Sequence, residues 1–254
     1  MVKFILLFII IYFLIFCFNN KLHISWKTFF KKGFPKKDDL FGLYVYTGKQ
    51  GEGKTYSCIK TIIDLVTEQD YIPISNIKSF NVFENTIYFE NIDEMIDFVI
   101  ANHGKDGKKY IILFDEIFTI LSRYSKLPGK VESFLCQLRK RKMLLFTTAQ
   151  EWGEIPLSFR RFCRFQVACH MFNVSLFNRA FLINRIGDGY STRWNDEIQD
   201  FECEIVQTNF SKANLSIINS YDTFETIILK FALEKLVCTI SHSKSCISSF
   251  QRVE

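Results

Sequence analysis

The chain has 254 residues, an apolar share of 48% and a formal net charge of +5. That length suits one sizeable α/β domain with short additions, and the apolar content excludes a chain that stays disordered. The mild positive balance permits an anionic partner without requiring one. The eight cysteines form no C-x-x-C pair, which excludes a zinc ribbon or a dithiol redox motif, and they read as reduced thiols.

The first element is an unbroken apolar run from Phe4 to Phe18, bracketed by Lys3 and Lys21. As a helix this run rises only about 22 Å, against a hydrocarbon core of about 30 Å. A span therefore needs the flanking lysines to snorkel and the bilayer to thin. The apolar region of a cleaved signal peptide and a buried core helix are the other readings, although no A-x-A cleavage site follows. Lys21, Lys27, Lys31, Lys32, Lys36 and Lys37 follow the run, and by the positive-inside rule they place the rest of the chain in the cytoplasm. The expectation is a transmembrane anchor over residues 1–20, with single-pass topology. A basic juxtamembrane linker follows over residues 21–39.

From residue 40 onward the pattern is that of an α/β domain. Leu43–Thr47 is a short apolar strand, and Lys54–Glu68 carries helical spacing with Ile59, Ile62, Ile63 and Val66 on one face. Strands are expected at Tyr71–Ser75 and Thr86–Phe89, a helix at Ile92–Asn102, a turn at His103–Gly107 and a buried strand at Tyr110–Phe114. A helix over Lys130–Lys142 then leads into a buried strand at Met143–Thr148. Wholly apolar strands alternating with helices imply a mostly parallel sheet covered on both faces. Weaker strand signals follow at Phe165–Met171, Phe181–Ile186 and Phe201–Thr208. After Tyr221 a helix and a Ser-rich tail are expected, the tail over residues 229–254.

Between the first strand and its helix lies Gly48-Lys49-Gln50-Gly51-Glu52-Gly53-Lys54-Thr55, a G-x-x-x-x-G-K-[ST] loop. Glycines let backbone N–H groups approach and cradle phosphates, and the helix N-terminus adds positive potential. Lys54 would neutralise the β- and γ-phosphates of ATP, the Thr55 hydroxyl would ligate Mg²⁺, and Tyr56 continues the nucleotide-binding segment. The plain alternative is a chance Gly-rich turn, which the strand–loop–helix setting disfavours.

The strand Tyr110–Phe114 delivers Asp115 and Glu116 to the same edge. Asp115 would hold Mg²⁺, and Glu116 would orient and deprotonate the attacking water. Gln150, which ends the next buried strand, would sense the γ-phosphate or position water. Cations cluster at Arg139, Lys140, Arg141 and Lys142, a candidate DNA contact that is equally explained by the dipole of a helix C-terminus. Arg160, Arg161 and Arg164 are candidates for an arginine finger reaching a neighbouring subunit.

Together these residues resemble the FtsK–HerA superfamily of DNA-pumping ATPases. The resemblance rests on the P-loop, the strand ending Asp115-Glu116, the strand ending at Gln150, and the run Gln137–Lys142 before it. Within that superfamily the chain is most similar to the zonula occludens toxin-like (Zot-like) morphogenesis ATPases of filamentous phages, followed by packaging ATPases of membrane-containing phages. Tyr221-Asp222-Thr223 is similar to a short motif of the Zot-like group. The likeness covers roughly residues 40–228. It implies an ASCE-type, RecA-like P-loop NTPase domain, working as a membrane-anchored hexameric ring. Such a ring would couple ATP hydrolysis to sequence-independent DNA movement alongside other virion-assembly proteins. A small-molecule kinase and a nucleotide-switched scaffold without turnover are the rival classes.

Overall fold

The computed structural model describes residues 2–19, 41–80, 82–117, 127–174, 179–196, 200–218 and 221. In chain order the elements are α1 (Val2–Asn19), β1 (Gly42–Thr47), α2 (Lys54–Gln69), β2 (Tyr71–Ser75), β3 (Ile87–Tyr88) and α3 (Ile92–Asn102). There follow β4 (Lys109–Phe114), α4 (Gly129–Gln137), β5 (Leu144–Ala149), α5 (Leu157–Arg160), β6 (Cys163–Val174) and β7 (Arg179–Asp188). Last come β8 (Arg193–Asn195), β9 (Asp200–Glu202), β10 (Ile205–Lys212) and α6 (Leu215–Ile218).

Eight strands form one sheet in the order β10-β7-β6-β1-β5-β4-β2-β3, and β8 pairs with β9 separately. The strands from β6 across to β3 are parallel, whereas β7 pairs antiparallel with β6 and β10 antiparallel with β7. The continuous apolar runs explain the layering. In β4, Ile111 and Leu113 face one side while Ile112 and Phe114 face the other, and all four are buried. On the first side Ile59 and Ile62 of α2 cover Tyr44, Tyr46 and Phe146. On the second, Met95, Ile96 and Val99 of α3 with Val131 and Phe134 of α4 cover Val45 and Leu145. A strand buried on both faces needs no polar alternation, and that is why its sequence shows none.

The N-terminal apolar run is helical, as α1, but the expected membrane anchor is corrected: among the described residues no helix is long and apolar enough to cross a membrane. The 18 residues of α1 rise about 27 Å and the apolar run within it about 22 Å, both short of a core of about 30 Å. The membrane as a partner, the single-pass localisation and the membrane-helix part of the fold class fall with it. The linker over residues 21–39 and the tail over residues 229–254 lie outside the described residues.

Several boundaries differ from the sequence reading. The helix expected over Lys130–Lys142 ends at Gln137, and Leu138–Lys142 turn instead, with Lys142 at φ 53° and the Met143 N–H donating to Leu138 O at 2.9 Å. The weak strand signal at Phe165–Met171 is the inner part of the long strand β6, and Phe181–Ile186 that of β7. The segment Phe201–Thr208 divides between β9 and β10.

Candidate nucleotide site

Parallel pairing brings the ends of three strands to one edge, because Thr47 aligns with Ala149 and Phe114 with Thr147. The loop after β1, the Asp115-Glu116 pair after β4 and Gln150 after β5 therefore meet. The Gly48 N–H donates to Gln150 O at 3.1 Å, tying the loop to the end of β5. Two glycines are required by space and backbone alike. At Gly48 (φ 152°) a Cβ would lie 2.8 Å from Cys169 O, and at Gly53 (φ 76°) it would lie 2.8 Å from Leu182. Gly53 then caps α2 in the left-handed region, leaving the first N–H groups of that helix directed into the loop.

The Lys54 ammonium donates to Gly48 O at 2.8 Å and to Lys49 O at 3.1 Å, so the cation sits inside the curve of the loop. Glu52 closes the loop from outside: its Oε2 accepts the Lys49 N–H at 2.7 Å, and its Oε1 lies 3.1 Å from His170 Nδ1 of β6. Lys49, Gln50 and Gly51 are exposed at the crown, whereas Tyr56 is buried and its hydroxyl accepts the Asn214 N–H at 2.8 Å.

Asp115 is the hub of the opposite wall. Its Oδ2 accepts from Thr55 Oγ1 at 3.1 Å, and its Oδ1 accepts a short hydrogen bond from Thr148 Oγ1. The Asn76 side chain clasps the Asp115 backbone from both sides, donating to its carbonyl at 3.0 Å and accepting its N–H at 2.8 Å. Burial pushes the Asp115 carboxyl above its ordinary pKa, while the Thr148 and Thr55 hydroxyls and the Lys54 charge pull it back in part. Glu116 is exposed and held in the left-handed region at φ 48°, with its N–H donating to Thr148 Oγ1 at 3.1 Å. A non-glycine residue in that conformation carries strain, and such strain clusters where a side chain must be aimed.

The donor set fits the ligands that the sequence implies. A threonine hydroxyl and a carboxylate in contact are hard oxygen donors suited to Mg²⁺, which takes only one or two protein ligands when phosphate oxygens complete its shell. No cluster of three or more acidic, histidine or cysteine side chains able to hold a metal by itself occurs among the described residues.

Sequence reasoning missed Thr148, Asn76 and His170. Only Thr148 had a signal, as the polar residue next to the end of a buried strand.

The cationic candidates lie elsewhere. Arg139, Lys140 and Lys142 are exposed in the turn entering β5, at the edge opposite the loop, while Arg141 donates to Ile100 O at 3.2 Å. Arg160 donates to Ile155 O and Gly153 O, each at 2.8 Å, and lies 4.8 Å over the Phe201 ring. Arg164 lies over Phe165 at 5.1 Å and Tyr190 at 5.8 Å, 4.0 Å from Asp188. Arg161 is exposed.

No family model and no curated protein matches the chain. Solved structures are similar to it at low identity. The N-terminal domain of zonular occludens toxin from Neisseria meningitidis is 12% identical, with a TM-score of 0.45, over 72% of this chain and 100% of that one. The genome packaging NTPase B204 from Sulfolobus turreted icosahedral virus 2, in complex with ATP-gammaS, is 9% identical with a TM-score of 0.45, over 66% of this chain and 98% of that one. The flagellar accessory protein FlaH from Methanocaldococcus jannaschii is 16% identical with a TM-score of 0.40, over 57% and 77%. The candidate nucleotide site stands on its own residues.

Proposed function

We propose that the chain is a P-loop ATPase. The observation that carries this reading is the continuous polar chain from Thr55 through Asp115 and Thr148 to Glu116, set against a loop with Lys54 in its curve. The loop N–H groups and Lys54 hold the β- and γ-phosphates, and Thr55 and Asp115 hold Mg²⁺. When bound, Mg²⁺ supplies charge neutralisation at the phosphates. Glu116 takes the proton of a water attacking the γ-phosphorus as the bond to the β-phosphate oxygen breaks, and Gln150 orients that water.

The work driven by turnover is, in this proposal, sequence-independent movement of DNA by a ring of subunits during virion assembly. The exposed Arg139, Lys140 and Lys142 support it as a phosphate-tracking surface. Arg161 supports it as the residue offered to a neighbour. The test is phosphate release from Mg-ATP, with and without DNA, beside an assay for phosphorylation of nucleosides. Release that rises with DNA supports the reading, and phosphorylated nucleoside without release overturns it.

A further inference from the structure

The β6–β7–β10 extension carries a row of stacked rings that the nucleotide site does not use. Phe172 of β6 and Phe181 of β7 are register partners with ring centroids 5.8 Å apart at 25°. Phe181 stacks on Phe210 of β10 at 5.4 Å and 16°. At its inner end the row continues to His170, 6.4 Å from Phe172 at 26°, and His170 meets Glu52 of the phosphate loop. At its outer end Phe210 is 50% exposed on an edge strand.

Register fixes what shares this face. Lys212, opposite Phe181, lies two residues beyond Phe210 on β10, about 7 Å along the strand and on the same side of the sheet, and Arg185, opposite Thr208 on β7, shares that side one strand inward. Asn184, which accepts from Ser57 of α2 at 3.1 Å, points to the opposite face, so α2 does not cover the row. The paired rows from Ala168–Arg185–Thr208 outward to Phe172–Phe181–Lys212 contribute the cations Arg185 and Lys212.

We propose that Phe210, backed by Phe181 and Phe172 and flanked by Lys212 and Arg185, is a base-stacking site for single-stranded nucleic acid. A nucleobase presents a flat π-face that extends the stack, and its flanking phosphates meet the two cations. Neither contact reads sequence. An apolar protein surface fits less well, because burying Lys212 against it would cost the ammonium its hydration. This deepens the nucleic-acid half of the proposed function and leaves the hydrolytic half independent.

The test measures anisotropy of a labelled oligo-dT strand with the full chain, in metal-free buffer so that turnover does not intervene. Phe210→Ala is expected to weaken binding about 5- to 150-fold per stacked base, and Phe210→Trp to keep or strengthen it. An abasic strand of equal length is expected to bind the unaltered chain as weakly as oligo-dT binds Phe210→Ala, and Lys212→Glu to weaken both strands. Unchanged binding by Phe210→Ala, equal binding of the abasic strand, or a variant that only loses self-association overturns the proposal. Basal ATP hydrolysis, measured beside it, should be unchanged in Phe210→Ala. Stacking without hydrolysis by the unaltered chain would sink the ATPase reading alone, and hydrolysis without strand binding would sink this one alone.

Discussion

The Thr55 hydroxyl donates to Asp115 Oδ2 at 3.1 Å, joining residues 60 positions apart in the chain. The contact places the first turn of α2 against the end of β4, so one small cation can be ligated by both. Everything assigned to the site depends on that meeting of two elements at one sheet edge.

Lys54 is the cation seated within the loop, and its replacement leaves the β- and γ-phosphates without a counter-charge there. Lys54→Ala should lose nucleotide binding or turnover. Glu116→Gln should bind ATP and fail to hydrolyse it, since an amide cannot accept the water's proton. Calorimetry for binding and phosphate release for turnover separate the two. A Lys54→Ala variant hydrolysing at the wild-type rate would sink the loop assignment.

Two adjacent threonines should answer a Val substitution in opposite ways. Thr148 Oγ1 donates to Asp115 and accepts from the Glu116 N–H, so Thr148→Val strips both groups of a partner. It is expected to cost about 1–3 kcal/mol of stability and most of the turnover. The Thr147 hydroxyl is buried with no hydrogen-bond partner among the described residues. Thr147→Val should therefore be neutral or stabilising, with turnover intact. Denaturant unfolding of the pair decides, and the reverse order of stabilities refutes the network.

That contrast shows what the sequence made legible. The strands β1, β4 and β5 are apolar on both faces and announce themselves, and the P-loop sits between a strand and a helix where its chemistry requires. Thr148 shows in the sequence only as a polar residue near a strand end, and Asn76 not at all, because their partners lie far along the chain and only the folded register brings them together. The long antiparallel strands β6 and β7 were underestimated, because polar residues such as Gln166, Asn173 and Asn184 interrupt their apolar signal. The apolar run at the N-terminus was over-read: its composition suits a membrane, but its length does not.

Acid should relieve the burial penalty on Asp115. Its carboxyl is raised above the ordinary value by burial, so the folded state binds that proton more tightly than the unfolded chain does. Stability from this group is gained as pH falls through the interval between the two values, and is lower above it. In metal-free buffer Asp115→Asn should therefore melt higher than the wild type near pH 7, with the gap closing toward pH 4, while turnover is lost. Thermal unfolding across that range tests it, and a variant that melts lower near neutrality contradicts the burial argument.

The final prediction concerns assembly. No arginine precedes Asp115 in the sequence, so a finger must come from later in the chain. Of the three candidates before and at the start of β6, Arg160 is engaged with two backbone carbonyls and the Phe201 ring, and Arg164 lies over two rings near Asp188. Arg161 is exposed and stands just ahead of β6, whose first residues pair with the start of β1, at the edge opposite its own P-loop. As a finger it would reach only a neighbouring subunit's nucleotide. Arg161→Ala should then lower turnover by about 10³–10⁵ without weakening ATP binding, whereas Arg160→Ala should mainly destabilise the turn between β5 and β6. Mixing Arg161→Ala with Glu116→Gln, each inactive alone, creates some interfaces where an intact Glu116 faces an intact Arg161. Activity should return in those mixtures, and none in rings shown to contain both variants would end the assignment.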